Sequence, residues 1–63
     1  MNIVLLGSGN VATQLGRAFK MAGQNIVQVW SRNIDHAREL ADTLASESIS
    51  DLFDLDTNAD LYI

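Results

Sequence analysis

Met1 to Gly16, MNIVLLGSGNVATQLG, decides how the rest of the chain is read. Asn2 to Leu6 is a near-continuous apolar run, as a parallel strand buried on both faces requires. The run breaks at Gly7-Ser8-Gly9-Asn10-Val11-Ala12, and a helical pattern follows as far as Gly23. The spacing is G-x-G-x-x-A, and each position has a physical task. Gly7 lets the chain turn sharply out of the strand, where a Cβ would be crowded. Gly9 leaves no side chain between the backbone and a pyrophosphate, and Ala12 is small enough for the helix to pack close on the strand. The free N–H groups of the first helical turn, with the positive end of the helix dipole, then face an anion. Strand, glycine turn and helix together predict a phosphate-binding βα unit.

The chain beyond this stretch continues the pattern. A first helix is expected over Val11 to Ala22. Ala12, Leu15, Gly16, Phe19 and Ala22 recur there at steps of three and four, on one face. Gly16 inside a helix costs ~1 kcal/mol against alanine, which a close approach to the sheet explains. Gly23 ends the helix. Ile26 to Trp30, IVQVW, reads as a second strand. Asn33 is the expected N-cap of a second helix, with Asp35 in its first turn and Ala37, Leu40, Ala41 and Leu44 as its buried stripe. Ser46 to Ser48 reads as a loop and Ile49 as a very short third strand. Ser50 is placed to cap one helical turn through Asp54, and Thr57 to Asp60 forms a turn. Leu61 to Ile63 begins a fourth strand.

The order β-α-β-α-β-β with right-handed crossovers gives a parallel sheet in the order 3-2-1-4. That is the first mononucleotide-binding half of a Rossmann-type α/β fold. A strand broken at Ile63 leaves an uncovered edge. Residues 1–63 are therefore expected to be the N-terminal part of a dinucleotide-binding domain.

Composition narrows the function. The chain has 63 residues, with eight Asp/Glu against four Lys/Arg and a net charge of −4. A chain this short buries only ~60% of its unfolded surface, so marginal stability is expected. The acidic balance gives no general attraction for nucleic acid or an anionic membrane. Any bound anion must be held locally, by backbone N–H groups and one or two placed cations. There is no cysteine and one histidine, His36, so no metal-ligand cluster is expected. No run approaches the ~20 apolar residues of a membrane span. The first strand starts too early for a signal peptide, which makes a cytoplasmic protein the default expectation.

The end of the second strand selects among dinucleotides. NAD and FAD sites usually place an Asp or Glu there, about 20 residues beyond the glycines, on the ribose 2′-hydroxyl. No acid occurs between Met1 and Ile34; the position reads Ser31-Arg32-Asn33. A carboxylate would repel a 2′-phosphate, whereas a hydroxyl donates to it and a guanidinium binds it with two parallel hydrogen bonds. Arg32 is also placed to stack on an adenine ring. The sequence favours NADP(H) over NAD, and the same absence argues against S-adenosylmethionine.

GSGNVATQLG, VWSRN and the closing ADLYI resemble the N-terminal domain of NADP-dependent reductases related to pyrroline-5-carboxylate reductase and to the deazaflavin-dependent NADP reductases. The resemblance is strongest to Rossmann-like oxidoreductases of unassigned substrate. It covers all 63 residues but only about the first quarter of such a protein. It implies a following half-sheet and a C-terminal helical domain that forms a homodimer and closes a small-molecule substrate site. It also implies that Ser8, Gly9, Asn10 and Val11 hold the pyrophosphate and Ser31, Arg32 and Asn33 the 2′-phosphate. Nicotinamide and substrate would lie beyond Ile63, so no catalytic residue carries over.

The remaining polar residues read more plainly. His36 is expected to be a solvated helix residue rather than an acid or base. Asp51, Asp54, Asp56 and Asp60 are expected to cap turns rather than bind metal. Ser8 lacks the context of a nucleophile. Trp30 reads as packing, with the border of an adenine pocket as the alternative. The leading function is the NADP(H)-binding part of an oxidoreductase. The alternative is a non-catalytic, redox-sensing dinucleotide module, and a third reading is a nucleotide-free structural domain.

Overall fold

A computed structural model describes all residues from 1 to 63. Four strands, β1 (Asn2–Leu6), β2 (Asn25–Trp30), β3 (Glu47–Ile49) and β4 (Leu61–Tyr62), alternate with two helices, α1 (Asn10–Met21) and α2 (Ile34–Leu44). A 3₁₀ turn at Leu52–Asp54 precedes β4. All strand pairs are parallel, in the order β3-β2-β1-β4, as the sequence predicts. β1 is central, and Ile3, Val4 and Leu5 have at most 1% of their surface exposed. This is the two-sided burial that its unbroken apolar run anticipates.

A bulge in β2 sets which side chains meet. Ile3 pairs with Ile26 and Val4 with Gln28, so Val27 has no partner on β1. Two residues opposite one shift the phase of the strand by one position. Ile26 and Val29, three apart, therefore join Ile3 and Leu5 in one core layer. Ala37, Leu40, Ala41 and Leu44 of α2 complete that layer, as their spacing predicts. The first helix is less buried than its stripe suggests. Only Gly16 is buried; Ala12, Leu15 and Phe19 are partly so, and Ala22 is exposed. A Cβ on Gly16 would lie 2.6 Å from Leu44 Cδ1 and 3.1 Å from Leu5 Cδ1. The close approach expected there exists, and its partners are side chains of α2 and β1.

The same phase shift leaves Gln28 and Trp30 on the opposite face, opposite Val4 and Leu6. Gln28 is buried, and its amide binds the chain on its way from β3 to β4. Nε2 donates to Glu47 Oε1 (2.6 Å) and to the Asp54 carbonyl (3.0 Å), and Oε1 accepts from the Asp56 N–H (2.7 Å). Gln28→Leu keeps the volume and strands these partners. Leaving a buried polar group unsatisfied costs about 1–3 kcal/mol. Urea unfolding of the variant should show a loss of that size.

Several boundaries differ from the sequence reading; β2 begins at Asn25, one residue before Ile26, and α1 ends at Met21, with Ala22 as its C-cap. α1 begins at Asn10, one residue early, because Gly9 is already its N-cap. β3 begins at Glu47 rather than Ile49, since Glu47 and Ser48 pair with Gln28 and Val29. Asp51, not Ser50, caps the 3₁₀ turn, its carboxylate accepting from the Phe53 N–H at 2.9 Å. β4 ends at Tyr62, although Ile63 still donates to the Val4 carbonyl (3.0 Å). Asp56 accepts from the Asn58 N–H (2.8 Å), Asp60 from the Asn2 N–H (2.7 Å), and the Tyr62 hydroxyl donates to the Asp56 carbonyl. Asp51, Asp56 and Asp60 thus act as the caps expected of them. No helix is long and apolar enough to cross a membrane.

Candidate functional site

The glycine turn lies at the C-terminal end of β1, where the first helix starts. The Gly7 N–H donates to the Trp30 carbonyl at 2.7 Å, which carries the β1–β2 ladder one residue past the strand. Gly7 has φ +136°, a conformation L side chains rarely adopt. A Cβ there would meet no atom within 4 Å, so the backbone angle demands glycine and crowding does not. Gly7→Ala should therefore cost about 1–3 kcal/mol through strain alone. A thermal melt of the variant checks it.

Gly9 is different. Its φ and ψ of −76° and −170° suit any residue, and a Cβ on it would also meet nothing within 4 Å. Neither packing nor backbone conformation calls for glycine at this position. What the missing side chain leaves open is the approach to the N-terminus of α1. That N-terminus has no side-chain cap and no acid in its first turn. The first intrahelical bond runs from the Thr13 N–H to the Gly9 carbonyl, 2.9 Å. The N–H groups of Asn10, Val11 and Ala12 precede it and have no intrahelical acceptor. α2 offers the contrast: Asn33 Oδ1 accepts from the Asp35 N–H at 2.9 Å, and Asp35 adds its charge to the first turn. The N-terminus of α2 is closed by its own residues, and that of α1 is open.

Ser31 ends β2 beside this turn. It is 8% exposed, and its N–H donates to the Ile49 carbonyl. The Ser8 and Ser31 hydroxyls share a hydrogen bond of 3.0 Å, and the Asn33 N–H donates to Ser31 Oγ at 3.3 Å. The two segments picked from the sequence, Gly7–Ala12 and Ser31–Asn33, are thereby joined through side chains. The Asn33 side-chain oxygen is committed to its cap, as the plainer reading of this loop has it.

Two of the basic side chains are committed within the chain and two are not. Of the four Lys/Arg, Lys20 donates to the Leu44 carbonyl at the end of α2 (2.7 Å), and Arg38 pairs with Asp35 (3.7 Å). Arg17 and Arg32 take part in no ion pair or side-chain hydrogen bond. Arg32 is exposed in the loop after β2. Trp30 is half-buried beside a cavity of about 580 Å³ with Leu52 and Phe53. Its indole Nε1 is buried without an acceptor. An apolar hollow of about 350 Å³, lined by Leu5, Val11, Leu15 and Ile63, lies against the glycine turn. A third cavity lies between the two helices and includes His36, which is exposed, as the sequence predicts.

A parallel sheet in the order β3-β2-β1-β4, with a glycine turn leading from its central strand into an open helix N-terminus, defines a Rossmann-like α/β unit. Residues 2–63 match the family described as NADP oxidoreductase, coenzyme F420-dependent, and the chain belongs to that family. It is also similar to a solved protein from Bacteroides fragilis described as a "putative NADP oxidoreductase", with a TM-score of 0.93 and 46% identity. The match covers 97% of this chain and 24% of that one, so this chain spans about a quarter of that protein's length. No curated protein matches the chain.

Proposed function

We propose that this chain is the NADP(H)-binding part of an oxidoreductase that moves hydride to or from a small-molecule substrate. The observation that carries the reading is the hydroxyl bond between Ser8 and Ser31. It places the acid-free end of β2 beside the open N-terminus of α1. A dinucleotide needs two sites close together there, one for its pyrophosphate and one for the 2′-hydroxyl or 2′-phosphate of its adenosine ribose.

The residues fit the cofactor at both sites. Around the pyrophosphate, Gly7 supplies the turn, Gly9 the bare approach, and Ser8, Asn10, Val11 and Ala12 the N–H groups and the first helical turn. Around the 2′-phosphate, Ser31 offers its hydroxyl and Arg32 an uncommitted guanidinium, and Asn33 keeps the loop in place. A 2′-hydroxyl without phosphate would find no carboxylate to accept its proton. The cofactor, when bound, supplies the hydride chemistry, and the chain's own residues bind and orient it. Membership of an NADP oxidoreductase family supports the reading. The homodimer and the helical substrate domain, implied by the resemblance, belong to the same proposal.

Titration of the protein with NADPH and NADH tests it. NADPH should bind at least about tenfold more tightly, the value of one charge-assisted hydrogen bond of ~1.5 kcal/mol. Equal affinities would remove the role given to Ser31 and Arg32.

A further inference from the structure

One side chain holds the peptide between Gly9 and Asn10. The Gly9 carbonyl accepts two hydrogen bonds from Thr13, one from its N–H at 2.9 Å and one from its hydroxyl at 3.0 Å. The first is the ordinary opening bond of a helix. The second is extra, and it takes up the carbonyl's other lone pair. Thr13 stands in α1, one turn beyond Gly9.

A threonine in a helix often bonds back to the carbonyl four residues earlier. Thr43 does so in α2, its hydroxyl donating to the Glu39 carbonyl at 3.2 Å. The two cases differ at the other end of the peptide. In a planar trans peptide the C=O and N–H point in opposite directions, so fixing one fixes the other. The peptide that Thr43 holds carries the Leu40 N–H, which lies inside the ladder of α2. The peptide that Thr13 holds carries the Asn10 N–H, the first of the three N–H groups at the open start of α1. It points out of the helix, where an anion is received. A hydrogen bond on the carbonyl also polarises the peptide and makes its N–H a better donor.

This start of α1 needs an anchor. Its N-cap is Gly9, the residue type with the most backbone freedom, and no side chain caps it. Earlier in the turn, the Gly7 N–H is tied to the Trp30 carbonyl and Ser8 to Ser31. Beyond Ser8, the side chain that holds the turn is Thr13.

We propose that Thr13 is a positioning residue for the pyrophosphate. Its hydroxyl anchors the Gly9 carbonyl and thereby aims the Asn10 N–H at the anion, without itself touching the cofactor. The inference rests on the dinucleotide reading above. The pyrophosphate is common to NADPH and NADH, so Thr13 acts on both alike, whereas Ser31 and Arg32 distinguish them.

Two variants test it. Thr13→Val keeps the shape of the side chain and removes the hydroxyl, and Thr13→Ser keeps the hydroxyl. In Thr13→Val, NADPH and NADH should both bind about fivefold more weakly, the worth of one neutral hydrogen bond, with their ratio unchanged. In the same variant without cofactor, the NMR order parameter of the Asn10 N–H should fall below the ~0.85 of rigid backbone. Thr13→Ser should restore both. The Thr13 N–H still satisfies the Gly9 carbonyl in either variant, so the melting temperature should move little. A role in stability alone would not weaken both cofactors equally and be rescued by serine. Unchanged affinities in Thr13→Val, an undisturbed Asn10 N–H, a loss that serine does not restore, or a loss confined to NADPH would overturn the inference, while wild-type binding keeps the cofactor reading. A wild type that binds neither cofactor would overturn both.

Discussion

Gly9→Val should abolish binding of NADPH and NADH alike while leaving the fold in place. The two halves of this expectation come from the same observation. A Cβ at residue 9 touches no protein atom, and the backbone there is in a region β-branched residues adopt freely. The folding cost is then only that of a poorer N-cap, about 0.5–1 kcal/mol. In a domain this small that lowers the melting temperature by no more than ~8 °C. The two new methyl groups stand where a pyrophosphate must come within hydrogen-bonding distance of the N–H groups of Asn10, Val11 and Ala12. Losing two such charge-assisted bonds, at ~1.5–3 kcal/mol each, reduces affinity by at least ~100-fold. Titration with both cofactors, beside a melt of the unliganded variant, checks both halves. Retained affinity would place the pyrophosphate elsewhere. A collapsed melt would show a packing role that the open space around Gly9 denies.

Arg32→Asp should separate the two cofactors. The guanidinium is exposed, unpaired and at the end of β2, where the ribose of a dinucleotide is read. Its replacement removes a bidentate contact to the 2′-phosphate and puts a like charge in its place. The expected loss for NADPH is about 2–4 kcal/mol, ~30- to ~1000-fold. The lower end applies at physiological salt, which screens an exposed charge. NADH carries no 2′-phosphate, and an acid at this position suits its 2′-hydroxyl, so its affinity should hold or rise. The fold has no stake in Arg32, which is exposed and takes part in no ion pair or side-chain hydrogen bond. Equal losses for NADPH and NADH would mean that Arg32 acts on the adenine, by stacking, rather than on the phosphate.

What could be read from the sequence was what local pattern controls. The α2 stripe of Ala37, Leu40, Ala41 and Leu44, the Asn33 cap and the glycine at the end of α1 each depend on residues within one turn of each other. The strand order followed from crossover handedness. Features that depend on distant partners were not visible. The unpaired Val27 shows only against β1, and it decides that Gln28 faces the β3–β4 connection instead of solvent. β3 starts at a polar Glu47 because Gln28 and its neighbours pair with it, not because of its own composition. α2 stops at Ala45 in a left-handed conformation (φ 54°) without the glycine that usually marks such an end.

The site divides along the same line. The G-x-G-x-x-A turn and the acid-free Ser31-Arg32-Asn33 were apparent from spacing. The reason for Gly7 needed a dihedral angle: the position was correctly singled out, but for crowding that does not exist. The hydroxyl bond that ties Ser8 to Ser31 spans two loops and has no sequence signal. His36 is exposed, as its place in the first turn of α2 predicts.

The central claim is that the open start of α1 and the acid-free end of β2 together hold a dinucleotide with a 2′-phosphate. Thermal unfolding with NADPH, NADH and S-adenosylmethionine tests it most directly. A ligand at 100 times its Kd adds about 2.7 kcal/mol, which in a domain of this size raises the melting temperature by roughly 10–20 °C. The account predicts such a shift with NADPH, a much smaller one with NADH at the same concentration and none with S-adenosylmethionine. Equal shifts with NADPH and NADH, or no shift with either, would contradict it.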